Sequence, residues 1–208
     1  MARRAGGGNP RALSSAIPES PDALPSPTVT RPVVAVFGAS NAVPGDAVYD
    51  QGLECGRLLG QAGYAVATGG YGGLMEAVSR GAHEAGTLVF GVTAPAVFPD
   101  RPGANPFVAE EWRAAHLMER IHEMTRMSAA AITLPGSLGT LTELVAAWNL
   151  GFVARFSAGD PKPLITVGTR WQAIVADLAR LLDADASLVT CVPDVEAAVG
   201  VVRERVPT

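Results

Sequence analysis

The sequence has few cysteines and no long apolar run, and each shortage excludes a class of protein. Two cysteines in 208 residues do not form the disulfide framework of a small secreted domain. Cys55 and Cys191 both stand in apolar segments, which favours buried core positions for both. No apolar stretch reaches the roughly 20 residues that a membrane-spanning helix needs. The basic segment 1–4 has no apolar stretch behind it, so we expect a cytoplasmic protein without a membrane partner.

Basic residues are also scarce, and lysine is almost missing. The chain has 16 basic and 20 acidic residues and a net charge of −4, so we expect no basic surface of the kind that nucleic-acid binding requires. Only one of the 16 basic residues is a lysine, Lys162, which leaves one candidate for Schiff-base chemistry. Lys162 lies between two prolines before an apolar run, as in a loop that enters a strand. We therefore expect no pyridoxal phosphate. We also expect no other cofactor.

The composition divides the chain into two parts. Residues 1–31 are rich in glycine, proline and arginine and contain no aromatic residue. Such a segment buries too little apolar surface to offset the entropy lost on ordering. We predict a disordered tail over residues 1–31 and a single folded domain over residues 32–208.

From Val33 onward, short apolar runs alternate with helical patterns. The apolar runs predict strands at 33–37, 64–67, 87–92, 129–134, 163–167 and 188–192. The periodic segments predict helices at 46–63, 72–86, 111–127, 138–153, 171–182 and 195–202. In the third of these helices Leu117, Ile121 and Met124 have the spacing of core residues. Apolar strands that alternate with helices predict a doubly wound α/β domain, in which a parallel sheet is covered on both faces.

Three loops rich in small residues follow predicted strands, at 38–40, 68–73 and 135–140. Ligands of parallel sheets bind at the carboxyl ends of the strands, so these loops suit one continuous cleft. The loop from Pro135 to Thr140 opens a helix, whose unpaired N–H groups and partial positive charge attract anions. Its spacing fits either a phosphate cradle or a tight turn without a ligand. Walker A and dinucleotide patterns are absent, which favours a monophosphate.

Charged side chains near these loops have two interpretations each. Glu143, one turn into the helix after Thr140, suits contact with ribose, a water or an oxocarbenium-like centre, or only favourable helix-end electrostatics. Arg120 and Arg126, on the preceding predicted helix, suit either surface ion pairs or positions in the cleft, and Arg126 also suits helix capping. The three histidines lack the spacing of metal ligands, so we expect no metal site.

Together these motifs resemble the LONELY GUY (LOG) family, many of whose members carry the old label of lysine decarboxylases. The family motif Pro-Gly-Gly-x-Gly-Thr-x-x-Glu stands here as Pro135–Glu143, and its Glu-Arg-Lys-x-x-Met segment as Glu119–Met124. The loop Gly69–Met75 and the strand end Phe37–Ser40 also match. The resemblance covers roughly residues 32–182. The lysine count argues against the decarboxylase label.

The resemblance implies a Rossmann-like homodimer that hydrolyses the N-glycosidic bond of nucleoside 5′-monophosphates. Cytokinin riboside monophosphates or AMP would yield a free base and ribose 5-phosphate. Arg120 and Glu143 match the catalytic pair of the family. Trp148 and Phe152 suit either the dimer surface or the core. The resemblance implies substrate binding by Gly38, Ser40, Gly70, Gly72, Gly73, Met75, Gly136, Ser137, Gly139 and Thr140.

The sequence departs from the family pattern at four positions. Ser137 replaces a glycine, Ile121 a lysine, Thr142 an acidic residue and Ala129 an aspartate. Met75–Glu76 resembles another branch of the superfamily, which contains molybdenum-cofactor carriers that bind without hydrolysis. Three functions therefore stay open: a hydrolase of nucleoside monophosphates, a carrier of a nucleotide or molybdenum cofactor, and a paralogue without a ligand. The intact Arg–Glu pair favours the hydrolase.

Overall fold

The computed structural model describes residues 31–101, 103–156 and 159–208. The predicted tail, apart from Arg31, lies outside the described residues. The strands are β1 (Val33–Phe37), β2 (Ala65–Thr68), β3 (Val89–Thr93), β4 (Glu110–Arg113), β5 (Ala130–Thr133), β6 (Leu164–Val167) and β7 (Val189–Val192). The helices are α1 (Ala47–Gln61), α2 (Leu74–Glu84), α3 (Leu117–Met127), α4 (Leu138–Ala154), α5 (Thr169–Leu182) and α6 (Val195–Arg205).

The seven strands form one sheet in the order β4-β3-β2-β1-β5-β6-β7, and every neighbouring pair is parallel. Helices α1, α2 and α6 pack on one face, against apolar side chains that include Val34 and Ile132. Helices α3, α4 and α5 cover the other face, where Phe37, Leu144 and Trp171 belong to a second cluster. The predicted doubly wound, Rossmann-like α/β fold is confirmed.

One predicted helix is wrong over its first part. The sequence pattern predicts helix over residues 111–116, but β4 occupies Glu110–Arg113 and α3 begins at Leu117. The strand carries three charged residues in four positions and lies at the sheet edge, so it has no apolar pattern to reveal it. His116 caps α3 instead, since its Nδ1 accepts a hydrogen bond of 3.1 Å from the Glu119 N–H.

The core predictions are confirmed for most positions, wrong for Leu117 and only partly met by Cys191. Ile121 and Met124 are buried as expected, whereas the Leu117 side chain is 38% exposed because the first turn of α3 borders an open cleft. Cys55 is fully buried, while Cys191 is only partly buried. Trp148 belongs to the core, and its indole N–H donates to the Asp185 carbonyl at 2.9 Å.

The strand order places a switch point between β1 and β5. Strands β1 to β4 follow one another in one direction across the sheet, and β5 to β7 follow in the other. The loops that leave β1 and β5 therefore diverge and open a crevice at their carboxyl ends. Two hydrogen bonds fix its floor, from Ala39 N–H to the Pro135 carbonyl at 3.0 Å and from Leu74 N–H to the Ala39 carbonyl at 2.9 Å.

Among the described residues, none of the helices combines the length and the apolar character needed to span a bilayer.

Candidate active site

The crevice at the switch point is a cleft of about 230 Å³. It contains residues that follow β1, β3 and β5 and residues of α2, α3 and α4. Eight of the residues predicted from sequence line it: Gly38, Ser40, Met75, Arg120, Ser137, Gly139, Thr140 and Glu143. Four separate segments of the chain thus meet where the parallel sheet is expected to bind ligands.

Arg120 reaches into this cleft and forms an ion pair with Glu143. Its Nη1 lies 3.0 Å from Glu143 Oε1, and both side chains are nearly buried. The Nε of Arg120 donates to the Val92 carbonyl at the end of β3, at 2.8 Å, and Nη2 lies 3.7 Å from Met75 Sδ. The guanidinium is therefore held by three elements. Of the two positions that the sequence allowed for Arg120, the structure selects the cleft.

Burial governs the charge of Glu143. Loss of solvent raises the pKa of this carboxyl above its usual 4.5, and the charge and hydrogen bond of Arg120 oppose that rise only in part. Within the described part of the chain, Glu143 Oε2 accepts no hydrogen bond. A carboxylate with one oxygen fixed and one open to the cleft is suited to accept a bond from a sugar hydroxyl or from a water.

Gly69 makes room for the ion pair, a role that the sequence did not reveal. A Cβ atom at this position would overlap Arg120 Nη2 and would lie 2.6 Å from Met75 Sδ. Only glycine fits there without displacing the guanidinium. The sequence shows the glycine cluster, but the partner of each glycine depends on contacts 51 residues away in the chain.

The N-terminus of α4 lies open in the same cleft. Ser137 is the N-cap residue, and its side chain makes no capping hydrogen bond. A Cβ atom at Gly136 would overlap the Thr140 hydroxyl, so glycine is required for Thr140 to turn into the cleft. The unpaired N–H groups of the first turn and the hydroxyl groups of Ser137 and Thr140 together form a donor-rich surface suited to an anion.

The other glycines predicted to bind substrate shape the loop instead of lining the cleft. Gly70 and Gly73 have φ angles of 77° and 76°, in the left-handed region that favours glycine. A Cβ atom at Gly73 would lie 2.5 Å from the Ser40 carbonyl carbon, so this glycine also allows close packing of the loop after β1. Gly72 is exposed beside Glu76. Contact of these three glycines with a ligand stays a prediction.

A buried asparagine fixes the glycine loop. The Nδ2 of Asn105 donates to the carbonyls of Gly70 and Tyr71, both at 3.0 Å. Its Oδ1 accepts from the Phe107 N–H at 3.2 Å. Asn105 stands in a proline-rich segment that has no periodic pattern, so nothing in the sequence marks it as a structural anchor.

Asn105 belongs to the loop between β3 and β4. This loop also supplies two cleft residues that were not predicted from the sequence, Phe98 and Arg101. The guanidinium carbon of Arg101 lies 4.5 Å from the centre of the Phe98 ring and 4.7 Å from that of Tyr71. Tyr71 is buried, and its hydroxyl accepts from the Ala94 N–H at 2.8 Å. An arginine near aromatic residues after a parallel strand is the signal that could have found them.

Arg126 and Lys162 lie elsewhere. Arg126 donates from Nε and Nη2 to Glu123 Oε2, at 2.9 and 2.7 Å. Lys162 precedes β6 and donates to the Thr125 and Arg126 carbonyls at the end of α3, so it lies at the amino end of the sheet. No group of three or more histidine, cysteine or acidic side chains that suits a metal ion occurs in the described ranges.

Fold and site define an α/β protein with a Rossmann-like sheet and a buried arginine–glutamate pair at its switch point. The chain belongs to the SLOG cluster4 family, which matches residues 31–154. It is 37% identical over 97 residues to the cytokinin riboside 5′-monophosphate phosphoribohydrolase LOG of Oryza sativa subsp. japonica, a match that covers 46% of this chain and 40% of that protein. Over 82 residues it is 43% identical to the corresponding LOG5 enzyme of Arabidopsis thaliana, covering 38% of this chain and 36% of the relative. These matches span less than half the length of either relative.

The fold also resembles that of a solved structure, the molybdenum cofactor binding protein from Rippkaea orientalis. The TM-score is 0.67 at 22% identity, and the match covers 84% of this chain and 96% of that protein. At 22% identity this match shows a shared fold alone.

Proposed function

We propose that this protein hydrolyses the N-glycosidic bond of a nucleoside 5′-monophosphate, with AMP or a cytokinin riboside 5′-monophosphate as substrate. The products would be the free base and ribose 5-phosphate. The observation that carries the proposal is the buried Arg120–Glu143 pair in the same cleft as the open N-terminus of α4. The phosphoribohydrolase activity that the names of the curated relatives state supports the same reaction class.

The phosphate would bind at the start of α4. A phosphomonoester carries about 1.5 to 2 negative charges at pH 7, and the first turn of a helix offers unpaired N–H donors and a partial positive charge. Gly139 leaves the backbone accessible, Gly136 leaves room for the Thr140 side chain, and the Ser137 and Thr140 hydroxyl groups add donors. One end of the substrate is thereby fixed, which sets the distance of the sugar from Glu143.

The reaction would proceed at the anomeric carbon. The bond between C1′ and the base nitrogen breaks, and its electron pair leaves with the base, which takes up a proton from solvent or from the cleft. The ionised Glu143 stabilises the positive charge that develops on the sugar and orients a water. The water oxygen forms the new bond to C1′, and the proton that it loses passes to Glu143 or to solvent. Arg120 holds that carboxylate in place through Nη1, while the Val92 carbonyl holds Arg120.

The test is release of free base from AMP and from isopentenyl-AMP by the full chain, followed by chromatography. We expect release by the wild type and a loss of at least about 100-fold in Glu143→Gln and in Arg120→Ala. Glu110→Gln and Arg113→Ala, at exposed positions on β4, are the matched controls and should keep wild-type rates. Equal rates in all five proteins would contradict the site, and absence of release by the wild type would contradict the function.

The same assay separates the hydrolase from a carrier. A carrier of a nucleotide or a molybdenum cofactor needs the anion-binding loop but has no need for a buried ion pair beside the sugar. It would retain its ligand after dialysis and release no base. The ion pair favours the hydrolase, because removing two charges from water is costly. The hydrolysis reaction needs these two charges beside the sugar, whereas a carrier does not.

We infer that the protein is a homodimer whose interface includes the solvent-exposed side of α4. Apolar residues occur around this helix, and large side chains remain exposed on it and just after it: Leu138 at 76%, Leu150 at 49% and, two residues past its end, Phe156 at 78%. Phe152 is 43% exposed and packs edge-on against Phe156, with ring centres 5.3 Å apart. Exposed apolar surface of this kind is typical of interfaces. Sedimentation should give twice the monomer mass, and the double variant Phe152→Glu, Phe156→Glu should give the monomer.

The two cysteines are free thiols, which suits a reducing compartment. A cytoplasmic location is therefore part of the proposal, and fractionation of cells that express the tagged chain tests it.

A further inference from the structure

The cleft contains two guanidinium groups, and only one of them is paired. Arg120 is bound to Glu143. Arg101 also lines the cleft, but it has no carboxylate within 4.0 Å in the part of the chain that the structure describes. Over the same residues its side-chain N–H groups donate to no protein acceptor. An arginine has five such donors in a fixed planar arrangement that matches phosphate oxygens.

Arg101 is nevertheless held in position. Its guanidinium contacts the rings of Phe98 and Tyr71, which meet nearly edge-on with centres 5.6 Å apart. The backbone of the turn is closed by bonds from Phe98 N–H to the Ala94 carbonyl and from Arg101 N–H to the Phe98 carbonyl, both 3.1 Å long. The buried Tyr71 is fixed in turn by its bond with the Ala94 N–H. A cation held in this way loses little entropy when it binds an anion.

The charges of the cleft leave a specific role for this cation. Arg120 and Glu143 neutralise each other, and the N-terminus of α4 contributes about half a positive charge. The residue after Arg120 is the buried, uncharged Ile121, so α3 brings no second cation to the cleft. Arg101 is therefore the one unpaired full positive charge among the described residues of the cleft, whereas a phosphomonoester carries nearly two negative charges.

We infer that Arg101 binds the 5′-phosphate together with the N-terminus of α4 and makes the cleft select phosphorylated over unphosphorylated nucleosides. The inference rests on the proposed function for the identity of the ligand. It assigns to the loop between β3 and β4 a specificity-determining residue, and it assigns to Phe98 and Tyr71 the role of positioning that residue.

The test compares ligands that contain only one part of the substrate. Binding of ribose 5-phosphate and of adenosine to the full chain is measured by calorimetry for the wild type, Arg101→Met and Arg101→Lys. We expect Arg101→Met to weaken ribose 5-phosphate binding by about 10- to 100-fold, the range of a lost hydrogen bond to a charged group, and to change adenosine binding less than about twofold. Arg101→Lys should recover part of the loss. Arg113→Ala, whose side chain is 67% exposed on β4, is the charge-matched control and should change neither affinity.

Two results would overturn the inference. The first is an unchanged affinity of Arg101→Met for ribose 5-phosphate. The second is an equal loss for adenosine, which would place Arg101 against the base or in a purely structural role. A matching unfolding temperature for wild type and variants establishes that the fold is intact.

Failure of the proposed function gives a different pattern. These binding measurements require no turnover, so an Arg101-dependent affinity for ribose 5-phosphate without base release would contradict the hydrolase and leave the inference standing. Where base release is observed, Arg101→Met should raise KM for AMP by the same factor by which it weakens the binding of ribose 5-phosphate. The value of kcat should change less than about threefold.

Discussion

Gly69 and Arg120 occupy adjoining space, because a side chain at Gly69 would overlap the Nη2 atom of Arg120. The guanidinium cannot retreat without losing its bonds to the Val92 carbonyl and to Glu143. We expect Gly69→Ala to displace the ion pair and to lower base release by about 100-fold, the effect of a misplacement of about 1 Å in a catalytic group.

The control for this substitution is Gly200→Ala. Gly200 lies within α6, where a Cβ atom would have no neighbour within 4 Å. Alanine in a helix is favoured over glycine by about 0.5–1 kcal/mol, so this variant should be slightly more stable and fully active. Equal activity of Gly69→Ala and Gly200→Ala would show that the ion pair is not needed where the structure places it.

The pH dependence of activity should reflect the burial of Glu143. Burial raises the pKa of this carboxyl above 4.5, and the proposed chemistry needs the ionised form. The acid limb of kcat/KM, measured between about pH 4 and pH 9, should therefore lie above pH 4.5. An acid limb at or below that value would contradict an unsolvated carboxylate at the reacting centre.

The pH dependence of stability tests the raised pKa of Glu143 independently, because no substrate phosphate titrates in that experiment. The folded state holds the Glu143 proton more tightly than the unfolded chain, in which the carboxyl titrates near 4.5. The contribution of this group to the free energy of unfolding is thus greatest below pH 4.5 and falls as the pH rises through the raised pKa. The difference between wild type and Glu143→Gln in urea unfolding should show this fall. A difference that is constant with pH would contradict it.

The Thr140 hydroxyl should contribute to phosphate binding. Thr140→Val keeps the shape of the side chain and removes the donor, so we expect about tenfold weaker binding of ribose 5-phosphate and unchanged binding of adenosine. Thr142→Val is the matched control, because the Thr142 hydroxyl donates at 2.9 Å to the Leu138 carbonyl of its own helix. The same loss in both variants would indicate a general change in α4 instead of a lost contact.

Lys162 should matter for stability and not for catalysis. Its ammonium group donates to the Thr125 and Arg126 carbonyls at 2.7 and 3.1 Å, at the opposite end of the sheet from the cleft. Lys162→Met should lower the free energy of unfolding by about 1.5–3 kcal/mol, the net value of hydrogen bonds from a charged group, and leave base release unchanged. Arg170→Met, at an exposed position on α5, should alter neither quantity. Loss of activity in Lys162→Met would show that Lys162 is needed for the reaction.

Much of the fold could be predicted from the sequence, because its strands are apolar throughout. Val33–Phe37 is buried on both faces of the sheet, and such a run before a loop of small residues is typical of a central parallel strand. The edge strand Glu110–Arg113 offers no such pattern, since it has a neighbouring strand on one side only and carries charged side chains. Edge strands are therefore the elements that apolar patterning misses.

The site was predictable where its residues follow an apolar strand, as Gly38 and Ser40 do, or stand close together in sequence. The segment from Gly136 to Glu143 forms one loop and one helical turn, so its residues share a location whatever the rest of the chain does. The choice between cleft and surface for Arg120 depended on β3 and α4, which lie 28 and 23 residues away. Phe98 and Arg101 belong to a loop without periodicity, so only the folded chain brings them to the cleft.

The bond from Arg120 to the Val92 carbonyl has a consequence for refolding. It joins a helix to a strand on one side of the switch point, and Glu143 comes from the helix that follows β5 on the other side. If only the strands on one side of the switch point have formed, the Arg120–Glu143 pair is incomplete, because either Glu143 or the Val92 carbonyl that holds Arg120 is not yet in place. Regain of enzymatic turnover after denaturant is diluted would therefore lag behind the recovery of secondary structure and mark the moment at which the two halves dock.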